Sequence, residues 1–177
     1  GYSATISNLN NIQDFTNLIG LYLDNNTFMS TILPTTLPNL ITLSATSNLI
    51  TDFDLTYVPN IQYLNLKDNT SLMHLSNVAG NLNQCNYFDI QNCSVDDTLT
   101  DVLANLDANG LLGGTAFVDG GFNVTPTPPV GTNAVANLIS KGWTRAQQKE
   151  AQYYTAGDIV RFGRAYQTLG VAKAETL

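Results

Sequence analysis

The chain is poor in charge. Only 12% of its 177 residues are Asp, Glu, Lys or Arg, about half the ~25% usual in soluble domains. Basic residues are the scarcest: seven in all, of which only Lys67 precedes residue 141. A chain of net charge −7 with so few Lys and Arg is unsuited to wrapping nucleic acid or coating an anionic membrane. No apolar run approaches the ~18 residues that a bilayer-spanning helix needs. There is one histidine, His74, so no nucleophile–base arrangement is visible. The glycine-rich stretch from Gly110 to Gly121 lacks the Lys-Ser/Thr of a phosphate loop. Asp52-x-Asp54 and Asp96-Asp97 fall short of the ligand count of a Ca²⁺ loop, and the second pair reads as charge at a helix N-terminus. The chain is expected to be non-enzymatic, with no cofactor and no metal. The opening Gly1-Tyr2-Ser3-Ala4 has no initiator Met and no signal pattern, as expected of a processed product or a fragment.

What is there is apolar and neutral-polar. Hydrophobic residues make up 44%, enough for a sizeable core. Asn, Thr and Ser supply the polarity. Residues 1–140 hold one basic residue against eleven Asp and no Glu, a balance of −10, whereas residues 141–177 hold six basic against three acidic, a balance of +3. This break divides the chain into 1–144, a scaffold rich in turn formers, and 145–177, a basic tail.

An internal repeat dominates the first part. Leu18-x-x-Leu21-x-Leu23-x-x-Asn26 recurs as Leu40-x-x-Leu43-x-Ala45-x-x-Asn48 and as Ile61-x-x-Leu64-x-Leu66-x-x-Asn69. It returns as Cys85-x-x-Phe88-x-Ile90-x-x-Cys93, and a worn fifth copy reads Leu112-x-x-Thr115-x-Phe117-x-x-Gly120. The starts lie 22, 21, 24 and 27 residues apart. A further apolar residue follows two positions later in most copies: Phe28, Ile50, Val95 and Phe122, with Leu72 compensating for Ser71. Alternation within each copy puts Leu21 and Leu23 on one side and Gly20, Tyr22 and Asp24 on the other. One such strand cannot bury its apolar side alone, so neighbouring copies must stack. The turn asparagines Asn26, Asn48 and Asn69 are placed to bond backbone groups of adjacent turns.

Over roughly residues 8–144 this pattern resembles the leucine-rich repeat family. The stretch from Asn133 to Thr144 is similar to the closing segment of bacterial surface members of Bacteroidetes type, and a phage-borne member is the other source the pattern suggests. The resemblance implies an α/β solenoid with short parallel β-strands on a concave face. Irregular loops and one or two short helices would line the convex face, and a small C-terminal tail element would follow. Cys93 in place of Asn is a substitution the family tolerates.

The connections differ between copies. Pro34 and Pro38 argue against a regular helix over residues 27–39. Ser94-Val95-Asp96-Asp97 resembles a capping box, and Leu99, Val102, Leu103 and Leu106 predict an amphipathic helix over 95–107 that Asn109-Gly110 stops. At the front, Ile6, Leu9, Ile12 and Phe15 are expected to form a capping turn. At the back, Pro126, Pro128 and Pro129 carry an extended link. Thr132-Asn133 then caps a short helix through Val135, Leu138 and Ile139 that ends at Gly142, with Trp143 as a core plug. Cys85 and Cys93 lie at opposite ends of one strand, too far apart for a disulfide, and are expected as buried free thiols. Four Asn-x-Ser/Thr triplets begin at Asn25, Asn69, Asn92 and Asn123. Chance explains most of them in so Asn- and Thr-rich a chain, and Asn69 is expected to point inward.

In the tail, residues 145–152 favour helix. Tyr153 to Tyr166 reads either as a hairpin, similar to a segment of small carbohydrate-binding modules and phage tail proteins, or as a helix from about Asp158. Either form is too short for a core of its own and is expected to dock on the solenoid, on another copy or on a partner.

The outward strand positions form three columns. They are Gly20, Thr42, Tyr63, Tyr87, Gly114; Tyr22, Ser44, Asn65, Asp89, Ala116; and Asp24, Thr46, Lys67, Gln91, Val118. Tyr22, Asp24, Tyr63, Asn65, Lys67, Tyr87, Asp89 and Gln91 are the candidate ligand-binding residues, because amphipathic rings beside hydrogen-bonding groups suit a glycan or a polar protein surface. The expected function is recognition of a protein or glycan through the concave face, in an extracellular setting on a cell surface or virion. The alternative is a structural role in a virion or other assembly, with the basic tail anchoring the acidic solenoid to identical or different subunits.

Overall fold

The computed structural model describes residues 9–28 and 33–144. Seven three-residue strands and two helices occur in it: β1 Gly20–Tyr22, β2 Thr42–Ser44, β3 Asp52–Asp54, β4 Tyr63–Asn65, β5 His74–Ser76, β6 Tyr87–Asp89, α1 Thr98–Ala108, β7 Thr115–Phe117 and α2 Val130–Ser140. The chain coils repeatedly, and the coils stack side by side in the manner of a solenoid. Strands β1-β2-β4-β6-β7 form one parallel sheet in that order. Their register aligns Leu21, Leu43, Leu64, Phe88 and Ala116 rung by rung. Leu43, Leu64 and Phe88 are fully buried, and so are Leu66, Cys85, Ile90 and Cys93 on the same strands and turns. Each fully buried side chain of leucine size contributes roughly 1.5–3 kcal/mol, and the stacked copies share one interior.

The turn amides close the backbone. Asn48 donates through Nδ2 to the carbonyls of Leu23, Ala45 and Thr46, and its Oδ1 accepts from the Phe28 N–H. Asn69 repeats this one coil on, donating to Ala45 and Leu66 and accepting from Ile50 N–H. In the fourth copy the Cys93 thiol donates to the Leu66 carbonyl at 3.4 Å, keeping the donor half of the pattern. The residue before each turn position Asn26, Asn48, Asn69 and Cys93 takes a left-handed backbone: Asn25, Ser47, Asp68 and Asn92 have φ between 53° and 61°. Asn, Asp and Gly are the residues that tolerate that region best.

The fifth copy lies one residue later than its motif suggests. Ala116, not Thr115, pairs with Phe88, so Ala116 and Val118 face inward while Thr115 and Phe117 face out. Leu112 is 76% exposed and Phe122 84% exposed. Val124 takes the expected place of Phe122, with its N–H on the Val95 carbonyl. The ladder amide of this copy is Asn123, which donates to Ile90 and Val118 and accepts from Val95 N–H. Two positive-φ residues, Gly120 and Gly121, take up the extra length. A Cβ on Gly121 would stand 2.2 Å from the Cys93 carbonyl oxygen, so the turn needs a glycine there.

The opposite side of the coil is more regular than loops. Strands β3 and β5 pair in parallel there, with Phe53 and Leu75 buried between exposed neighbours. The alternation Asp52-Phe53-Asp54-Leu55 carries this strand. Helix α1 lies on the same side with Leu99, Val102, Leu103 and Leu106 buried, and it begins at Thr98 rather than 95 because Asp96 Oδ1 caps the Thr98 N–H. At the back, α2 begins at Val130, ahead of the expected Thr132-Asn133, since Pro129 already has helical dihedrals. Gly142 ends the turn at φ 77°. Trp143 is fully buried over Gly114, its indole N–H donating to the Leu111 carbonyl. Lys141 Nζ pairs with Asp107 at 2.6 Å, fixing the cap to α1. At the front, a 3-10 turn over Ile12–Asp14 buries Ile12, while Phe15 stays exposed. Ile6 and the whole basic tail, 145–177, with its hairpin, helix and docking expectations, lie outside the described residues.

Cys85 and Cys93 are buried and unpaired. Burial pushes both thiols up to about 12. Replacing Asn69 by Ala leaves the Ile50 N–H unpaired in a dry interior and takes one donor each from the Ala45 and Leu66 carbonyls, which keep only Asn48 and the Cys93 thiol. Asn69→Ala is expected to lower stability by about 3 kcal/mol in a urea melt, whereas Asn25→Ser at the solvent-facing turn changes it by less than ~1 kcal/mol.

Candidate functional site

Register decides which side chains share the outer face of the five-stranded sheet. One column runs Gly20, Thr42, Tyr63, Tyr87, Thr115, and the next runs Tyr22, Ser44, Asn65, Asp89, Phe117. A third follows from the bonds Asn25 N–H to Thr46 O, Ser47 N–H to Lys67 O, Asp68 N–H to Gln91 O and Asn92 N–H to Asp119 O, which align Asp24, Thr46, Lys67, Gln91 and Asp119. All eight candidate residues therefore lie on one face. The fifth rung differs from expectation in every column: Thr115, Phe117 and Asp119 replace Gly114, Ala116 and Val118. Phe117 and Asp119 were missed because the motif was read one residue early; the Gly120-Gly121 pair ahead of Asn123 was the available signal.

The aromatic residues form a row. Tyr63 and Tyr87 stack with centroids 4.1 Å apart and planes at 10°, and Phe117 tilts against Tyr87 at 5.7 Å and 59°. Strands 4.7–4.9 Å apart bring facing rings to this distance, and such pairs contribute roughly 0.5–1.5 kcal/mol beyond their burial. Burial, then the Tyr63 hydroxyl and the Asp89 carboxylate, push the Tyr87 phenol up, so it remains a proton donor at neutral pH. Its hydroxyl lies 3.4 Å from Asp89 Oδ2. Tyr22 stands apart at the first strand and is 70% exposed.

The polar residues divide into two groups. Asp89 is only 4% exposed, with Oδ1 accepting the Gln91 N–H at 2.9 Å, so it supports the face from beneath. Burial raises its carboxyl above the usual range against the Gln91 hydrogen bond and the Lys67 charge. Gln91 Nε2 donates to Asp119 Oδ1 at 2.6 Å. Asp24 Oδ1 accepts from Ser44 Oγ and from both the N–H and hydroxyl of Thr46, fastening the first coil to the second. Asn65 Oδ1 accepts the Lys67 N–H. Among the described residues, neither Asn65 Nδ2 nor Asp24 Oδ2 has a protein partner, and Lys67 has no carboxylate oxygen within 4.0 Å.

Elsewhere, the acidic pairs serve the backbone. Asp54 caps a 3-10 turn through Thr56 and is held by Asn77. His74 Nδ1 lies 2.6 Å from Asp96 Oδ2 in a solvent-exposed pair. Among the described residues no three His, Cys, Asp or Glu side chains come close enough to share a metal ion, and no helix is long and apolar enough to cross a membrane. A shallow depression of about 180 Å³ beside Phe15, Leu18 and Pro38 contains no titratable side chain.

No family model, no curated protein and no solved structure matches the chain.

Because Asp89 has a raised pKa in the folded chain, it binds its proton more tightly there than in the unfolded chain. Stability then falls as pH rises from the unfolded value near 3.8 through the folded one, and the loss persists at neutral pH. Asn at this position keeps the acceptor for Gln91 without the buried charge. Asp89→Asn is therefore expected to raise the melting temperature at pH 7, with the gain shrinking as pH falls toward 4; an equal gain at both pH values in thermal melts contradicts this.

Proposed function

We propose that the chain is a non-enzymatic recognition module of leucine-rich repeat type, displayed outside a cell or on a virion, that binds a protein or glycan through the outer face of its five-stranded sheet. The observation that carries the reading is the row Tyr63–Tyr87–Phe117, held in lateral register beside Asn65, Lys67 and Gln91. Rigid amphipathic rings beside hydrogen-bonding groups on a preformed surface are the composition of recognition sites. The extracellular setting is supported by the low Lys and Glu content and the richness in Asn and Thr. The repeat type is supported by the four motif copies and their stacking.

The alternative, an assembly protein anchored by residues 145–177, is favoured by the step in charge near residue 141. Deleting 145–177 and measuring particle size by light scattering separates the two, since a shortened chain that assembles as before excludes anchoring.

The recognition reading is tested by screening the chain against glycan and surface-protein panels, with Tyr63→Ala and Tyr87→Ala variants alongside. Each variant is expected to weaken the ligand found by at least about tenfold, or ~1.4 kcal/mol. Unchanged binding in both removes this face from the account.

A further inference from the structure

The rings of the aromatic row use most of their faces on one another. Tyr63 and Tyr87 cover one face each, and Phe117 leans on Tyr87 from the other side. The face of Tyr63 that looks along its column toward Thr42 and Gly20 has no ring against it. Tyr22 stands on the far side of this gap. Its Cε2 comes within 3.4 Å of where a Cβ on Gly20 would be, so its ring leans back over Gly20 into the Tyr63 column. The result is a slot with Tyr22 and Tyr63 as walls and the small side chains Thr42 and Ser44 as floor.

Its width follows from the sheet. Strands β1 and β4 are separated by β2 alone, so the walls stand about two strand spacings, roughly 9.5 Å, apart. A non-aromatic six-membered ring in contact with both walls needs about 4 Å on each side. One such ring fits and two do not.

The rim supplies hydrogen bonds of both kinds. Asp24 Oδ2 is an unused acceptor and Asn65 Nδ2 an unused donor, and the Thr42 hydroxyl makes no hydrogen bond to the described residues. The fixed charges of the face are Asp24, Asp89 and Asp119 against Lys67, so its sign is negative and it repels anions.

We propose that this slot seats one pyranose ring of a neutral oligosaccharide, its C–H faces against Tyr22 and Tyr63 and its hydroxyls on Asp24 and Asn65. The assignment rests on the recognition reading above and narrows it to one ligand chemistry and one position.

The test uses the whole chain and titration calorimetry with hexasaccharides of neutral hexoses (β-1,4- and α-1,4-glucan, mannan, galactan) and, beside them, a uronate hexasaccharide. At least one neutral oligomer is expected to bind, and the uronate to bind at least tenfold more weakly. Tyr22→Ala is expected to reduce binding tenfold or more. Thr42→Tyr, which fills the slot with a strand-favouring side chain, is expected to abolish it while the thermal melt stays that of a folded chain. Met73→Ala, at an exposed position beside β5 on the opposite side of the coil, is expected to bind as before. The proposal is overturned if none of the neutral oligomers binds, if the uronate binds best, or if Thr42→Tyr still binds. Loss of a protein ligand in Tyr87→Ala but not in Thr42→Tyr leaves the recognition reading standing and removes the slot alone.

Discussion

A chain that coils back on itself every twenty-odd residues must turn its backbone through a dry interior. The peptide groups at each turn cannot reach water, and a coil gives them no strand partner. This chain meets the constraint with a side-chain amide whose two N–H groups and one oxygen serve the carbonyls and N–H groups of two successive coils. Asn48 and Asn69 do so in full, Cys93 in part, and Asn123 at the last coil. No buried side-chain nitrogen or oxygen among the described residues lacks a partner. The interior Leu, Ile and Phe provide the driving force, but the amides decide that consecutive coils meet at one register.

That register turns isolated outward residues into rows. A tyrosine alone on a strand is an ordinary surface residue, whereas tyrosines at the same rung of β4 and β6 become a stack because the sheet spacing equals ring contact. The stack has two effects. It shields Asp89, which thereby becomes a support instead of a contact, and it leaves a face of Tyr63 uncovered next to the small side chains of its column. The shape of the surface thus follows from which rungs hold large residues and which hold Gly, Thr or Ser.

Much of this was legible in the sequence. The four motif copies gave the strands, the buried residues and the columns of the first four coils, and helical spacing gave α1, because apolar periodicity reports directly on which side of an element meets the core. Three things were not. The fifth copy slipped by one because Leu112, Thr115 and Phe117 imitate the pattern, while the true inward pair, Ala116 and Val118, is small or modest in size, and the large core residue at this end, Trp143, comes from another segment and packs over Gly114. The second sheet was hidden because Asp52-Phe53-Asp54 is too short to distinguish from a loop. The exposure of the candidate site was unreadable as well: Asp89 and Tyr22 occupy equivalent rungs, yet neighbouring rings cover one and leave the other bare, and only the packed structure records that.

The two thiols carry a consequence for where such a chain can exist. Each is enclosed, engaged with a backbone carbonyl and held in its protonated form far above neutral pH, so neither attacks a disulfide nor is readily attacked by an oxidant. The coils are fastened by amides and apolar contact, with no covalent tie between them. The same interior is therefore compatible with a reducing cytosol and with oxidising surroundings outside it, and its assembly needs no oxidoreductase.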